Sequence, residues 1–295
     1  MRRGYTLIEI IITIAITGVL SAGMFKAFEA ITIRSEKAKI LTTLSIDSQS
    51  ALDQISILLY NRVPSSVEGC TLTEGCIPLD ESINKKILTW YGLASESYKA
   101  RYYSAFVDMN CSDYSTKTLC TPNTDLSAVL ATEQKKWENF DIKDMGLIFS
   151  SSSDQGEKYT YTISNTAINT ITIDDPQSDM NISEKYNLVD SAYAVALGSD
   201  IDTTAPCIID LNLSTTLLDN TLLLFYDYRP WKTPAESFCA DNATTRVGKV
   251  TVLTTRVNAF SAQTINGIIR LSIDMNQTVS GSNNPVRLSK QKVVF

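Results

Sequence analysis

The chain has 295 residues, a formal net charge of -6 and no histidine. The acidic balance gives no general attraction to nucleic acid or to anionic lipid. The missing histidine excludes Ser-His-Asp and Cys-His catalysis and removes the commonest metal ligand. An enzyme built on this chain would have to work through carboxylates, lysine or tyrosine, and the sequence groups none of these persuasively, so neither catalysis nor a cofactor is expected. Hydrophobic residues make up 44%, with only 8 Pro and 12 Gly, which fits a packed body and not a disordered one.

The chain opens with Arg2-Arg3-Gly4, then Tyr5-Thr6-Leu7-Ile8-Glu9, and an apolar run from Ile10 to Phe25 broken by Thr13, Thr17 and Ser21. A carboxylate at Glu9 is costly in lipid and requires a partner to neutralise it. The arginines ahead of the run favour a cytoplasmic N-terminus, which sends the remainder across the membrane. On that side disulfides persist, and an even count of 6 cysteines suits them.

The leader, the glycine, the Thr-Leu-Ile-Glu set and the apolar helix together closely resemble the class III signal of type IV prepilins and pseudopilins. Tyr5 stands where Phe is usual. The resemblance implies cleavage between Gly4 and Tyr5 by a membrane-embedded prepilin peptidase, usually with N-methylation of the new first residue, Tyr5. It also implies that Glu9 meets the α-amino group of a neighbouring subunit's Tyr5 and sets register during assembly. Partners would be other pilin or pseudopilin subunits, contacted through the N-terminal helix, and an inner-membrane assembly platform. The location would be the inner membrane, single pass, with the C-terminal domain periplasmic, and later a filament. Two plainer readings compete. One is a secretory signal peptide cleaved near Ser21-Ala22-Gly23; the other is a simple anchor, for which the run is short.

The helical pattern continues past the apolar run. Ile33, Ile40 or Leu41, Leu44, Ala51, Ile55, and Leu58 or Leu59 recur at helical spacing with charged residues between them. Pro64 sets a boundary near Arg62 to Val63. A helix from Tyr5 to Arg62 would reach roughly 85 Å, too long for one buried core helix. The expected organisation is a leader at 1–4, a transmembrane half-helix at 5–28, an amphipathic half at 29–63 and a β-rich domain at 64–295. A cysteine-bearing insertion is expected at about 64–140.

Cys70 and Cys76 enclose a short loop, as do Cys111 and Cys120, which favours sequential pairing, although six cysteines allow many connectivities. Cys207 and Cys239 bracket a further candidate strand. From Met145 the texture turns to strands: Leu147–Ser150, Lys158–Ser164, Ile168–Ile173, Tyr193–Leu197, Leu222–Tyr228, Lys249–Thr254 and Ile268–Ile273. Val286–Phe295 reads as an edge strand whose Arg287, Lys290 and Lys292 discourage edge pairing. The fold class is α+β, a long spine helix on an antiparallel sheet. The closing stretch 257–288 also resembles, more loosely, the large minor pseudopilins of the J/W type.

Two further constellations stand out. Asp174, Asp175 and Asp179 with Asn181 offer oxygen ligands that calcium could use, although acidic loops are usually just solvated. Asn-x-Ser/Thr occurs at Asn110, Asn181, Asn212, Asn242 and Asn276, and all but Asn242 carry an Asp two positions upstream. That pattern resembles the extended acceptor sequon of bacterial N-glycosylation, while Asp-x-Asn is also ordinary turn chemistry.

Overall fold

A computed structural model describes residues 6–71, 75–80, 86–150, 160–174, 182–238, 248–265, 267–280 and 284–295. Helix α1 spans Leu7–Tyr60, its N-terminus marked by Thr6 in extended backbone. It ends where Asn61 and Arg62 N–H close back on Leu58 and Leu59 O, and Val63 N–H turns away to Tyr91 O, just before Pro64. The apolar first half stands clear of the body. The second half buries Ile40, Leu44, Ser48, Ala51, Leu52, Ile55, Ser56 and Leu59 in one stripe. Packing thus selects Ile40 over Leu41 and Leu59 over Leu58. Ser48 and Ser56 are tolerated there because their hydroxyls donate to Ser45 O (3.1 Å) and Leu52 O (2.6 Å).

The body follows as β1 (Glu68–Thr71), β2 (Gly75–Pro78), β3 (Ile87–Leu93), α2 (Ser95–Lys99), β4 (Asp108–Asp113), β5 (Thr118–Asp125) and α3 (Leu126–Glu133). Next come β6 (Gly146–Phe149), β7 (Thr160–Ile163), β8 (Ile168–Asp174), β9 (Tyr186–Leu197), α4 (Pro206–Ile209), α5 (Thr215–Leu218), β10 (Leu222–Tyr228) and β11 (Lys249–Thr254). Three strands close the chain: β12 (Val257–Ile265), β13 (Ile268–Gln277) and β14 (Val286–Val294). The larger sheet runs β2-β1-β3-β9-β6-β7-β8-β5-β4, with β10 and β11 added beside β9, and the smaller runs β12-β13-β14. The architecture is therefore α+β, with antiparallel pairing throughout the strands described.

Strand β9 is the centre. One edge pairs β3; the other pairs β6 along 186–189 and β10 along 192–197. Alternation sends Leu188, Tyr193, Val195 and Leu197 into the same core as the α1 stripe. Val189, Ala192, Ala194 and Ala196 face a second core, covered by Ile201, Ala205, Ile208 and Leu218 from the α4–α5 region. A strand buried on both faces loses the polar alternation that marks a half-exposed one.

Three expectations change. Strands begin at Glu68, well before Met145, and the 64–140 segment supplies β3 beside β9. The first six residues of β3 are all buried, so it carries no period-two signal. Strand β9 begins at Tyr186 and not Tyr193, because Asp190 and Ser191 interrupt its apolar run while lying buried within it. The lysines of β14 are not simple edge guards. Lys290 Nζ donates to Ser45 O (3.0 Å) and Oγ (3.1 Å), and Lys292 pairs with Asp53. Arg62 Nη1 bonds Leu59 O (2.8 Å) and Phe295 O (3.3 Å), so β14 runs alongside α1 in the same direction.

Candidate functional site

Gly4 and Tyr5 lie outside the described residues. Glu9 sits in the first turn of α1, and its Oε2 accepts both the Thr6 N–H and the Thr6 hydroxyl at 3.0 Å. This reciprocal cap satisfies the carboxylate within its own chain. Thr13 and Thr17 return their hydroxyls to the helix backbone, to Glu9 O and Thr13 O, both at 2.7 Å. With these groups satisfied internally, the helix from Ile10 to Phe25 presents apolar side chains on all sides, with Ile14, Val19 and Phe25 among the most exposed, before the charged Lys26 and Glu29. An 18-residue window of α1 reaches a mean hydropathy of 2.1 with none of it buried, and α1 is long and apolar enough to cross a membrane. So large an apolar surface requires lipid or protein around it.

A second cluster, invisible in the sequence, lies inside the body. Glu133 ends α3, Lys136 follows it, and Asp190 enters from β9. Lys136 Nζ donates to Asp190 Oδ2 and, at 3.2 Å, to Glu133 Oε2. Ser97 Oγ donates to Glu133 Oε1 at 2.7 Å, and Trp137 Nε1 to Asp190 Oδ2 at 3.1 Å. Glu133 and Asp190 are 0% and 1% exposed. Burial, assisted by the Asp190 charge, pushes the Glu133 carboxyl up to about 7. Burial works against the Lys136 ammonium, but the two carboxylates outweigh it and raise its pKa. Gly92 makes the site possible from β3: a Cβ there would stand 2.6 Å from Tyr193 Cε2 and 3.4 Å from Asp190 Oδ1.

Next to it, Arg229 is fully buried. Its Nη2 donates to Asp227 Oδ1 at 2.8 Å, and its guanidinium lies 5.0 Å from the Phe140 ring centroid. Lys232 Nζ reaches Asp144 Oδ1 (2.5 Å) and Glu236 Oε1 (3.1 Å). Burial opposes the Asp144 charge, yet the Lys232 hydrogen bond and the Asp141 N–H outweigh it and hold that carboxyl below the usual range. Unfolded, Asp144 returns to its ordinary value, so the folded state binds fewer protons there. Its stabilisation is present above the ordinary carboxylate pKa and is lost as pH falls through the depressed folded value. Asp144→Asn should therefore be less stable than the parent at about pH 7, and the gap should narrow as the pH is taken below the ordinary carboxylate range. Urea unfolding above and below that range checks this; an unchanged gap refutes it.

A carboxylate hydrolase needs two acids converging in an open cleft. The clefts lined by Arg62, Val67, Leu79 and Asp80 (about 420 Å³) and by Asn258, Asp274, Asn276 and Arg287 (about 350 Å³) each offer a single acid. Among the described residues, the acids that do converge, Glu133 with Asp190 on Lys136 and Asp144 with Glu236 on Lys232, are buried in the core.

Disulfides join Cys70 to Cys76, directly opposed on β1 and β2, and Cys111 to Cys120 across β4 and β5. Cys207 is disulfide-bonded, while Cys239 lies outside the described residues. Of the oxygen cluster, Asp174 is exposed at the end of β8, and Asp175, Asp179 and Asn181 lie outside the described residues. Asn110 is exposed, and its N–H bonds Asp108 Oδ1 at 2.9 Å, the expected turn chemistry. Asn212 is exposed in left-handed backbone (φ 50°). Asn276 is half-buried in β13 and donates to Asn258 Oδ1 at 3.2 Å.

Residues 1–25 match the family model of the prokaryotic N-terminal methylation motif. The chain thus carries a prepilin-type N-terminus, and its long apolar helix fits a type IV pilin. No curated protein and no solved structure matches the chain.

Proposed function

We propose that this chain is a structural minor pilin or pseudopilin. It is held in the inner membrane by the first half of α1 and is then assembled into a type II secretion pseudopilus, a type IV pilus or a DNA-uptake filament. The observation that carries this reading is the methylation motif at residues 1–25 placed on a helix that leaves its apolar half bare and docks its other half on the sheet. In this reading a prepilin peptidase cuts after Gly4 and methylates Tyr5, and the globular body lies in the periplasm. On assembly Glu9 exchanges its Thr6 cap for the α-amino group of an adjacent subunit's Tyr5, which fixes register.

Mass spectrometry of the mature N-terminus, with and without the host's prepilin peptidase, tests it. A methylated Tyr5 that disappears without that enzyme is the expected result. An intact Met1, or cleavage near Ala22, would overturn it and make the body an anchored or secreted binding module.

A further inference from the structure

We propose that Lys136 and Asp190 join through an intramolecular amide bond, formed within the folded body with Glu133 carrying the protons. Three conditions for such a condensation meet here. The nucleophile and the electrophile are in contact, since Lys136 Nζ donates to Asp190 Oδ2. A third group that can give and take a proton touches the amine, Glu133 Oε2 at 3.2 Å. The electrophile and that third group are sealed from water, Asp190 at 1% and Glu133 at 0% exposed, with the Trp137 indole against Asp190 and Tyr193 packed under Gly92 beside it.

The state of the acids supports the assignment. Glu133 is held protonated toward neutral pH by burial. Asp190 Oδ1 has no hydrogen-bond donor when Glu133 is ionised, so the Glu133 proton has an acceptor waiting. The resting Lys136–Asp190 pair is ionic. Glu133 passes its proton to Asp190 Oδ1 and takes one from Nζ through Oε2, which leaves a neutral amine, an acid protonated on Oδ1 and Glu133 again protonated. Burial works toward this neutral pair, against the pull of the two carboxylates on the ammonium.

The step balances without an oxidant, a cofactor or an activating group. The Nζ lone pair attacks Asp190 Cγ, and the Trp137 N–H donates to the oxygen that takes up negative charge. Glu133 gives its proton to the departing oxygen, the C–O bond breaks and water leaves. Glu133 then recovers a proton from the nitrogen, so one C–N bond has replaced one C–O bond. Burial of Asp190 and Glu133 limits the access of water to the new carbonyl, although Lys136 itself is 28% exposed.

The neighbouring Lys232, Asp144 and Glu236 form an internal comparison. There too a lysine touches an aspartate and a glutamate. However, Asp144 Oδ2 accepts the Asp141 N–H at 2.8 Å, which favours the carboxylate, a poor electrophile. One cross-link is therefore expected, not two.

The test is the intact mass of the full chain, purified in detergent and fully reduced, beside Lys136→Arg, Glu133→Gln and Lys232→Arg. The parent should weigh one water less than its sequence requires, and a trypsin digest should yield one branched peptide joining the Lys136 and Asp190 segments. Lys136→Arg should recover the full mass, Glu133→Gln should stay mostly unlinked, and Lys232→Arg should still lose one water. The parent measurement needs no variant to fold. A parent at full mass whose Lys136 amine accepts an acylating reagent after denaturation would overturn the bond. A water loss mapping to Lys232 would overturn the site, and full linkage in Glu133→Gln would overturn the proton carrier.

Discussion

Leu52→Asp should release the second half of α1 from the sheet and cost on the order of 5 kcal/mol. Leu52 is fully buried in the core shared by the α1 stripe and by Ile269, Leu271, Ile273 and Met275 of β13. The substitution removes a large apolar side chain and introduces a carboxylate with no cation in that core. Ile46, on the same helix and 63% exposed, supplies the comparison: Ile46→Asp should change subunit stability by less than about 0.5 kcal/mol. The chain has 3 tryptophans, and all are buried, so fluorescence-monitored urea unfolding reads both variants. Equal midpoints for the two would mean that the stripe is not what docks the helix.

Arg229→Ala is the second substitution with a large expected effect, about 3–5 kcal/mol. Its guanidinium is the buried cation that Asp227 and Glu236 share, at 2.8 Å and 3.7 Å, and it also covers the rings of Phe140 and Trp137. Asp227 holds left-handed backbone (φ 60°) in the register shift between Phe225 and Tyr228 where β10 pairs β9, and its N–H bonds Ser191 Oγ at 2.9 Å. Truncation leaves Asp227 with Lys249 and Glu236 with Lys232, both partly solvated cations. Domains are stable by only about 5–15 kcal/mol, so much of the margin would go. Arg229→Met keeps the volume and drops the charge, separating packing from electrostatics. If Arg229→Ala unfolds within about 1 kcal/mol of the parent, the cation is not needed to hold these acids.

Legibility in the sequence followed locality and one-sidedness. The methylation motif occupies contiguous residues and needs no fold to be seen. The α1 stripe was readable because one face is in solvent, although spacing alone left Ile40 against Leu41 and Leu58 against Leu59. Strand β13 alternates between half-buried and buried residues and showed itself. Strand β3 did not, because apolar residues fill both its faces. The β14 lysines look the same in sequence whether they guard an edge or reach a helix, since a long side chain buries its stem and delivers its charge at a distance. The Lys136–Asp190 pair, 54 residues apart, leaves only one trace, an Asp-Ser dipeptide within the otherwise apolar β9.

The parallel course of β14 and α1 has a mechanical meaning. Tension applied along the helix axis meets Ser45 with Lys290, Asp53 with Lys292 and Arg62 with Phe295 as rungs lying across the direction of pull. Rungs loaded in this way slide together and share the force. They do not peel one after another, as they would if the strand hung from one end of the helix. The final strand thus acts as a splice between rod and body, and load taken up by the rod enters the small sheet along the second half of its last strand.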